Sequence, residues 1–230
     1  MVFLYFILFF LTSFTYCFSE ETPKYYSQFL QDKYLNEKVF MNKKHGVFID
    51  IGAHDGVLLS NTYFFEKTLD WTGICIEPLP EVFDRLEKNR TSICINGCVT
   101  ETRTKVPFLK ISGYSDMLSG IIDKYDPEHL KRIEHEQAVH GGTSELVDVE
   151  GYPLNALLEF YGIYHVDFIS LDTEGGELDI LKSIDFSRFQ VDVIVVENNY
   201  SVQFNEFLSS KGYIKITNLG CDEIYVKKTL

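Results

Sequence analysis

Val47 to Gly56 reads VFIDIGAHDG, an apolar run that ends in Asp50 and is followed by Gly52 and Gly56, with His54 and Asp55 between the glycines. A buried parallel strand ends this way when its tip must accept a nucleoside-type ligand. Gly52 lacks a Cβ, so backbone can approach closely or take positive φ there. Dinucleotide sites use G-x-G-x-x-G, which seats a pyrophosphate on a helix N-terminus. Here the spacing is G-x-x-x-G and the flanking residues are acids, which would repel a pyrophosphate. Two carboxylates suit a ligand that carries an ammonium and a sulfonium, as S-adenosylmethionine does. The alternative is a tight strand-to-helix turn with no ligand.

Three further apolar runs end in acids. Ile74 to Ile76 leads to Glu77 and is stopped by Pro78, which has no N–H for a sheet ladder. A carboxylate at the tip of a second strand can accept two ribose hydroxyls. His165 to Leu171 leads to Asp172-Thr-Glu-Gly-Gly-Glu177, and Val191 to Val196 leads to Glu197-Asn-Asn. Asp172, Glu174 and Glu197 then share one end of a sheet. Asp172 and Glu174 could instead cap the helix that follows, since acids favour that end. Three acids in one crevice are also oxygen ligands of the kind a divalent cation takes; none is assigned here. His54 reads as a hydrogen-bonding or packing residue rather than a base.

The elements that must position these groups alternate. Helical patterns fall at about Leu58 to Thr68, Glu81 to Asn89, Leu154 to Tyr161 and from Leu178 onward, between the strands already named and a third at Ser92 to Ile95. That alternation implies a Rossmann-like, doubly wound, mostly parallel α/β sheet. Tyr213 to Thr217 and Glu223 to Lys227 add a C-terminal antiparallel hairpin. Pro23 to Phe40 reads as an amphipathic helix with Phe29, Leu30, Tyr34 and Leu35 on one face. Gly113 to Val149 is the least regular stretch, apart from an extra strand before it at Lys105 to Ile111 and a charged helix near Glu128 to Val139. It reads as an insertion over the ligand end of the sheet, where loops carry substrate contacts.

The chain has 230 residues, 45% of them hydrophobic and 15% aromatic, enough for a real core in one domain. Its net charge of −13 argues against binding nucleic acid. His135 to His140 resembles a zinc-protease motif at a glance, but the histidines are five apart and do not share a helix face.

Residues 1–18 carry no charged side chain and are rich in Phe, Leu and Ile. Residues 1–19 therefore read as a signal peptide, cleaved near Ser19, or as an N-terminal hydrophobic anchor. Membrane contact is expected only through this segment, and the expected location is the secretory pathway, secreted or membrane-anchored. Without Cys17 four cysteines remain, a number compatible with disulfides. Glycosylation sequons stand at Asn89 and Asn199, and a glycan at Asn199 would obstruct the site.

FIDIGAHDG, SNT at Ser60 to Thr62, GICIEPLP, VDFISLDTEGGELDIL and VIVVENN together resemble the FkbM-type S-adenosylmethionine-dependent methyltransferases. QFLQD at Gln28 to Asp32 is similar to the segment before the core of that family. The resemblance implies residues 20–45 as an N-terminal helical segment and residues 46–230 as the methyltransferase domain, with residues 113–149 a substrate-side insertion. It implies bound S-adenosylmethionine and O-methylation of a sugar, glycan or small hydroxylated metabolite. Position by position, Asp50, Gly52, His54, Asp55, Gly56, Asn61, Glu77, Asn96 and Asp172 fall on cofactor-binding positions. Asp172, Glu174 and Glu197 are the candidate catalytic acids, and the resemblance leaves open which is the base. Animal Star-type proteins are similar to the family and act in trafficking, so a non-catalytic secretory-pathway factor is the competing function.

Overall fold

The computed structural model describes residues 23–200 and 202–228. In chain order the strands are β1 (Val47–Ile51), β2 (Thr72–Glu77), β3 (Ile93–Asn96), β4 (Cys98–Val99), β5 (Thr104–Ser112), β6 (Gly120–Ile121), β7 (Thr143–Tyr152), β8 (His165–Leu171), β9 (Gln190–Glu197), β10 (Tyr213–Leu219) and β11 (Asp222–Lys227). The helices are α1 (Gln31–Tyr34), continued by a π-helical turn over Leu35–Phe40, α2 (Tyr63–Leu69), α3 (Pro80–Asn89), α4 (Pro127–His140), α5 (Leu154–Phe160), α6 (Glu177–Ser183) and α7 (Phe204–Ser210).

Seven strands form the main sheet in the order β10-β11-β9-β8-β1-β2-β3. β1, β2, β3, β8 and β9 are parallel, and β11 enters antiparallel between β9 and β10. The chain winds outward from β1 to β3, then crosses back to β8. The β1/β8 boundary is thus the point where strand order reverses, and the carboxyl ends of the strands open into a crevice there.

Both faces of the sheet are covered, which is why its strands read as continuous apolar runs. Ile49, Ile51, Ile74, Ile76 and Ile169 join one buried cluster. Phe48, Cys75 and Phe168 point the other way, into a cluster with Phe65 and Trp71. Each such side chain taken fully from water contributes about 1.5–3 kcal/mol, so the two clusters hold the strand tips rigid. A second, four-stranded sheet, β4-β7-β5-β6, stands beside the carboxyl ends.

The doubly wound sheet and its C-terminal hairpin match expectation. Three local readings do not. Phe29 and Leu30 precede α1 and are 39% and 54% exposed. Leu30 is in the left-handed region, and α1 starts only after it. Polar contacts hold this turn instead: Asp32 accepts the Tyr26 N–H at 2.6 Å, and Gln31 Nε2 donates to Asp222 Oδ2 at 2.7 Å. The apolar spacing held at Tyr34 and Leu35, which pack into the core, and misled at Phe29 and Leu30. α2 begins at Tyr63, not Leu58, because Ala53 to Thr62 is consumed by a loop under the crevice. Residues 113–149 are also more regular than expected, with the 14-residue α4 and most of the ten-residue β7.

The leader proposed for residues 1–19 lies outside the described residues. Among the described residues no helix is long and apolar enough to cross a membrane. Cys75, Cys94, Cys98 and Cys221 are free thiols.

Candidate active site

The tip of β1 is fixed by its neighbours on both sides. The N–H groups of Gly52 and Ala53 both donate to Ile76 O, at 3.1 and 3.0 Å, and Asp172 N donates to Ile51 O at 3.0 Å. Gly52 has φ +85°, and a Cβ there would lie 1.7 Å from the Asp172 carbonyl oxygen. This glycine is required by the adjoining strand. His54 follows in the left-handed region at φ 49°, which aims its N–H at Glu77 Oε2, 3.0 Å away. Leu79 N–H donates to the other oxygen, Oε1, at 2.9 Å. Glu77 is therefore held rigidly, and each oxygen keeps a lone pair free. Burial pushes its carboxyl up to about 7, against the pull of those two N–H groups.

Beneath this loop lies a buried charge network that the sequence did not reveal. Arg90 is 5% exposed; its Nε donates to Glu66 Oε2 at 2.8 Å, Nη1 to Gly56 O at 3.1 Å and Nη2 to Thr62 Oγ1 at 2.9 Å. Thr62 in turn donates to Asp50, whose Oδ2 is 3.7 Å from Arg90 Nη1. Burial would raise the Glu66 carboxyl, but Arg90 and donors from Lys67, Ser92 and Thr91 bring it down to about 2. Burial dominates at Asp50 and raises it despite Arg90.

At the tips of β8 and β9, oxygens of Asp172, Glu174 and Glu197 lie within 4.8 Å of one another. The protein around Asp172 strips solvent from its carboxyl and raises it well above the usual range, with the charges of Glu197, Asp222 and Glu177 adding to the effect. Burial likewise lifts Glu197 to about 8, with the charges of Glu174, Glu177 and Asp222 adding to the effect. Burial and Asp172 raise Glu174. Neither Asp172 nor Glu174 caps α6, whose N-cap is Gly176. The loop is braced instead by Glu177, whose Oε1 accepts from Thr173 N, Thr173 Oγ1 and Gly175 N at 3.0, 2.8 and 2.9 Å. That brace leaves Glu174 in the left-handed region at φ 58°, a conformation costing about 1–3 kcal/mol.

Behind Glu174 stands His129, on α4 and fully buried. Its Nε2 faces Leu118 O at 3.3 Å, which places the ring proton there. Nδ1 then accepts the Tyr200 hydroxyl at 2.8 Å. Glu174 Oε2 lies 3.4 Å from the same nitrogen. Burial lowers the His129 pKa.

These groups surround a crevice of about 420 Å³, within the range of small-molecule sites. Seven carboxylates line it: Asp50, Glu77, Asp116, Asp172, Glu174, Glu197 and Asp222. Against them stands one permanent cation, Arg132. Beside Glu77 the wall turns apolar at Leu79, Val82, Cys98 and Phe108. Four buried polar atoms at the crevice have no hydrogen-bond partner: both ring nitrogens of His54, Asn61 Oδ1 and Glu174 Oε2. Buried polar atoms are rarely left so, and each costs about 1–3 kcal/mol.

Of the residues singled out in the sequence, Asp50, Gly52, His54, Asn61, Glu77, Asp172, Glu174 and Glu197 line the crevice. Asp55, Gly56 and Asn96 do not. Asp55 Oδ1 accepts the N–H groups of Val57 and Leu58 at 2.9 and 2.8 Å. Gly56, at φ +80°, makes room for Leu86 and Arg90. Asn96 Nδ2 donates to the carbonyls of Glu77 and Pro78, both at 3.0 Å. All three shape the backbone around the crevice. Asp116, Arg132, Asp222 and Gln31 reach it from distant segments.

A β1/β8 switch point, an antiparallel strand beside β9 and an acidic crevice at the strand tips define a class I methyltransferase. The methyltransferase FkbM domain matches residues 50–215, and the chain belongs to that family. None of the curated proteins matches the sequence. Among solved structures, the chain is similar to the methyltransferase FkbM of Methylobacillus flagellatus, with 12% identity and a TM-score of 0.48 over 80% of this chain and 44% of that one. The chain thus spans less than half of that relative. It is also similar to precorrin-6y C5,15-methyltransferase from Geobacter metallireducens, with 15% identity and a TM-score of 0.42 over 87% and 86% of the two chains. The N-terminal domain of human METTL16 in complex with SAH gives 13% identity and a TM-score of 0.41 over 85% and 65%.

Proposed function

We propose that the chain is an S-adenosylmethionine-dependent O-methyltransferase and that the larger crevice holds the methyl donor. The observation that carries this is the lining, seven acidic side chains against Arg132, several of them held protonated by burial until a cation offsets their charge, in a family of methyltransferases. A donor with a sulfonium and an ammonium supplies the missing positive charge.

The residues fit the parts of that donor. Glu77, pinned by His54 and Leu79 N–H groups, is built to accept two ribose hydroxyls. The apolar wall of Leu79, Val82, Cys98 and Phe108 suits adenine. Asp172 and Asn61 suit the amino-acid end, where Asn61 Oδ1 lacks a partner. The bound donor supplies a methyl carbon on a positively charged sulfur, and that sulfur becomes a neutral thioether when an oxygen displaces it.

The chain itself must place a hydroxyl close to that carbon and take up its proton. Glu174 is the best-suited acceptor of the proton: one of its oxygens is unpartnered, and its backbone is held in a strained conformation that fixes the carboxyl. Glu197 and Asp172 stand within reach of it. The acceptor we propose is a sugar, glycan or small hydroxylated metabolite. Isothermal titration with S-adenosylmethionine tests the donor site; no heat at millimolar donor would refute it.

A further inference from the structure

A second crevice, of about 270 Å³, lies on the far side of Glu174, Glu197 and Asn199, and these three residues also line the first. They form a shared partition. The rest of the second crevice comes from three separate segments: Tyr125 before α4, Gly175 and Gly176 before α6, and Tyr200 with Val202 after β9.

We infer that this second crevice is the acceptor subsite, that it takes a neutral or cationic polyol, and that it rejects anionic acceptors. The inference rests on the donor reading of the larger crevice. Its volume suits one sugar-sized ring. Tyr125 donates its hydroxyl to Leu118 O at 2.7 Å, and Tyr200 donates to His129 Nδ1 at 2.8 Å. Their polar ends are engaged elsewhere, so ring carbon is what remains to pack on a sugar face. Asp126, Glu174, Glu177 and Glu197 bring four carboxylates, whereas Lys124, the one cation of the lining, is paired with Asp179 at 2.6 Å. Once the cationic donor has ionised Glu174 and Glu197, a carboxylate or phosphate on the acceptor would meet like charge, with Lys124 already paired.

The partition then has a chemical duty. A hydroxyl oxygen arriving from the second crevice forms its bond to the methyl carbon as the carbon–sulfur bond breaks. The bonding pair stays on sulfur, and the hydroxyl proton goes to the Glu174 carboxylate. The methyl carbon passes directly from sulfur to that oxygen, so donor and acceptor must meet at the edge of this partition, although they can enter by separate mouths.

Val202 offers a clean test. It is 37% exposed and lines only the second crevice, and Asn198 holds it through its backbone alone, at 2.9 and 2.8 Å. Val202→Trp fills the subsite, and Val202→Phe fills it less. S-adenosylhomocysteine affinity is measured by titration calorimetry. Transfer from tritiated S-adenosylmethionine is measured to a panel of methyl glycosides, inositol, amino sugars and uronic acids. We expect transfer to neutral and amino-sugar probes, with uronates at least about tenfold poorer, a difference of about 1.4 kcal/mol. Both variants should lose transfer, Trp more than Phe, while S-adenosylhomocysteine affinity stays within about twofold. Wild-type rates in both variants, uronates as the preferred probes, or no transfer to any probe by a protein that binds S-adenosylhomocysteine would overturn the inference. Failure of the wild type to bind S-adenosylhomocysteine would instead remove the donor reading on which it stands.

Discussion

His129 Nδ1 and Glu174 Oε2 lie 3.4 Å apart, a buried imidazole behind a carboxyl that faces both crevices. The two come from segments 45 residues apart, and Tyr200 completes the group from a third.

Glu174→Gln should lower methyl transfer by about 10²–10⁴-fold, the usual worth of a general base. Donor affinity should change little, so calorimetry and turnover together separate the base from a donor contact. His129→Asn acts one step removed. It should displace the basic limb of the pH–rate profile more than it changes KM, whereas a merely structural histidine would lower the amount of folded enzyme and leave the profile in place.

Glu77→Ala removes a charged acceptor and leaves the His54 and Leu79 N–H groups unpaired. Loss of charge-assisted hydrogen bonds worth about 1.5–3 kcal/mol should weaken S-adenosylmethionine binding by about 10–150-fold. Equilibrium titration of the variant checks this; unchanged affinity would mean that the ribose lies elsewhere.

The raised acids make both stability and binding depend on pH, with opposite signs. Glu77 at about 7 and Glu197 at about 8 hold protons in the folded protein that an unfolded chain, titrating near 4.5, has lost. The native state binds more protons between those values, so stability is full at low pH and declines as pH rises through 7 to 8. A cationic donor prefers the ionised acids, so its affinity should rise over the same interval and its binding should release protons. Melting temperatures at about pH 5.5 and 8, with and without donor, test both signs. A donor-induced shift larger at the lower pH would contradict them.

Arg90→Met should destabilise the fold by about 3–5 kcal/mol, because Glu66 and Asp50 would lose the buried cation that they share. Urea denaturation measures the loss. Glu66, depressed to about 2, contributes stability that is present above its unfolded value and lost as pH falls towards 2. The wild type should therefore unfold in acid over a window that Glu66→Gln shortens.

The strand tips were legible in the sequence because a strand buried on both faces is a run of apolar residues, and an acid at its end stands out. Asp50, Glu77, Asp172 and Glu197 were found that way. Arg90 and Glu66 were not, since Glu66 lies on an ordinary-looking helix and Arg90 just past the end of another, and each gains its meaning only from a contact 24 residues away. His129 was hidden for the same reason, while His135 and His140 on the same helix drew notice through a motif-like spacing and face neither crevice. The N-terminal segment was half legible. Tyr34 and Leu35 of its apolar stripe pack on the core with Phe40, whereas Phe29 and Leu30 stand outside the helix, where Asp32 braces its own turn and Gln31 reaches Asp222.

Gly52 carries a lesson for reading relatives. Its missing side chain is filled by the Asp172 carbonyl, a piece of the protein's own backbone. A descendant that had given up catalysis would still need a glycine there to close its sheet, so a glycine-loop match reports architecture and is silent on chemistry. Whether such a descendant still handles a cation is written in the side chains at positions 172, 174 and 197, since Glu77 also serves two backbone N–H groups and would be kept for them.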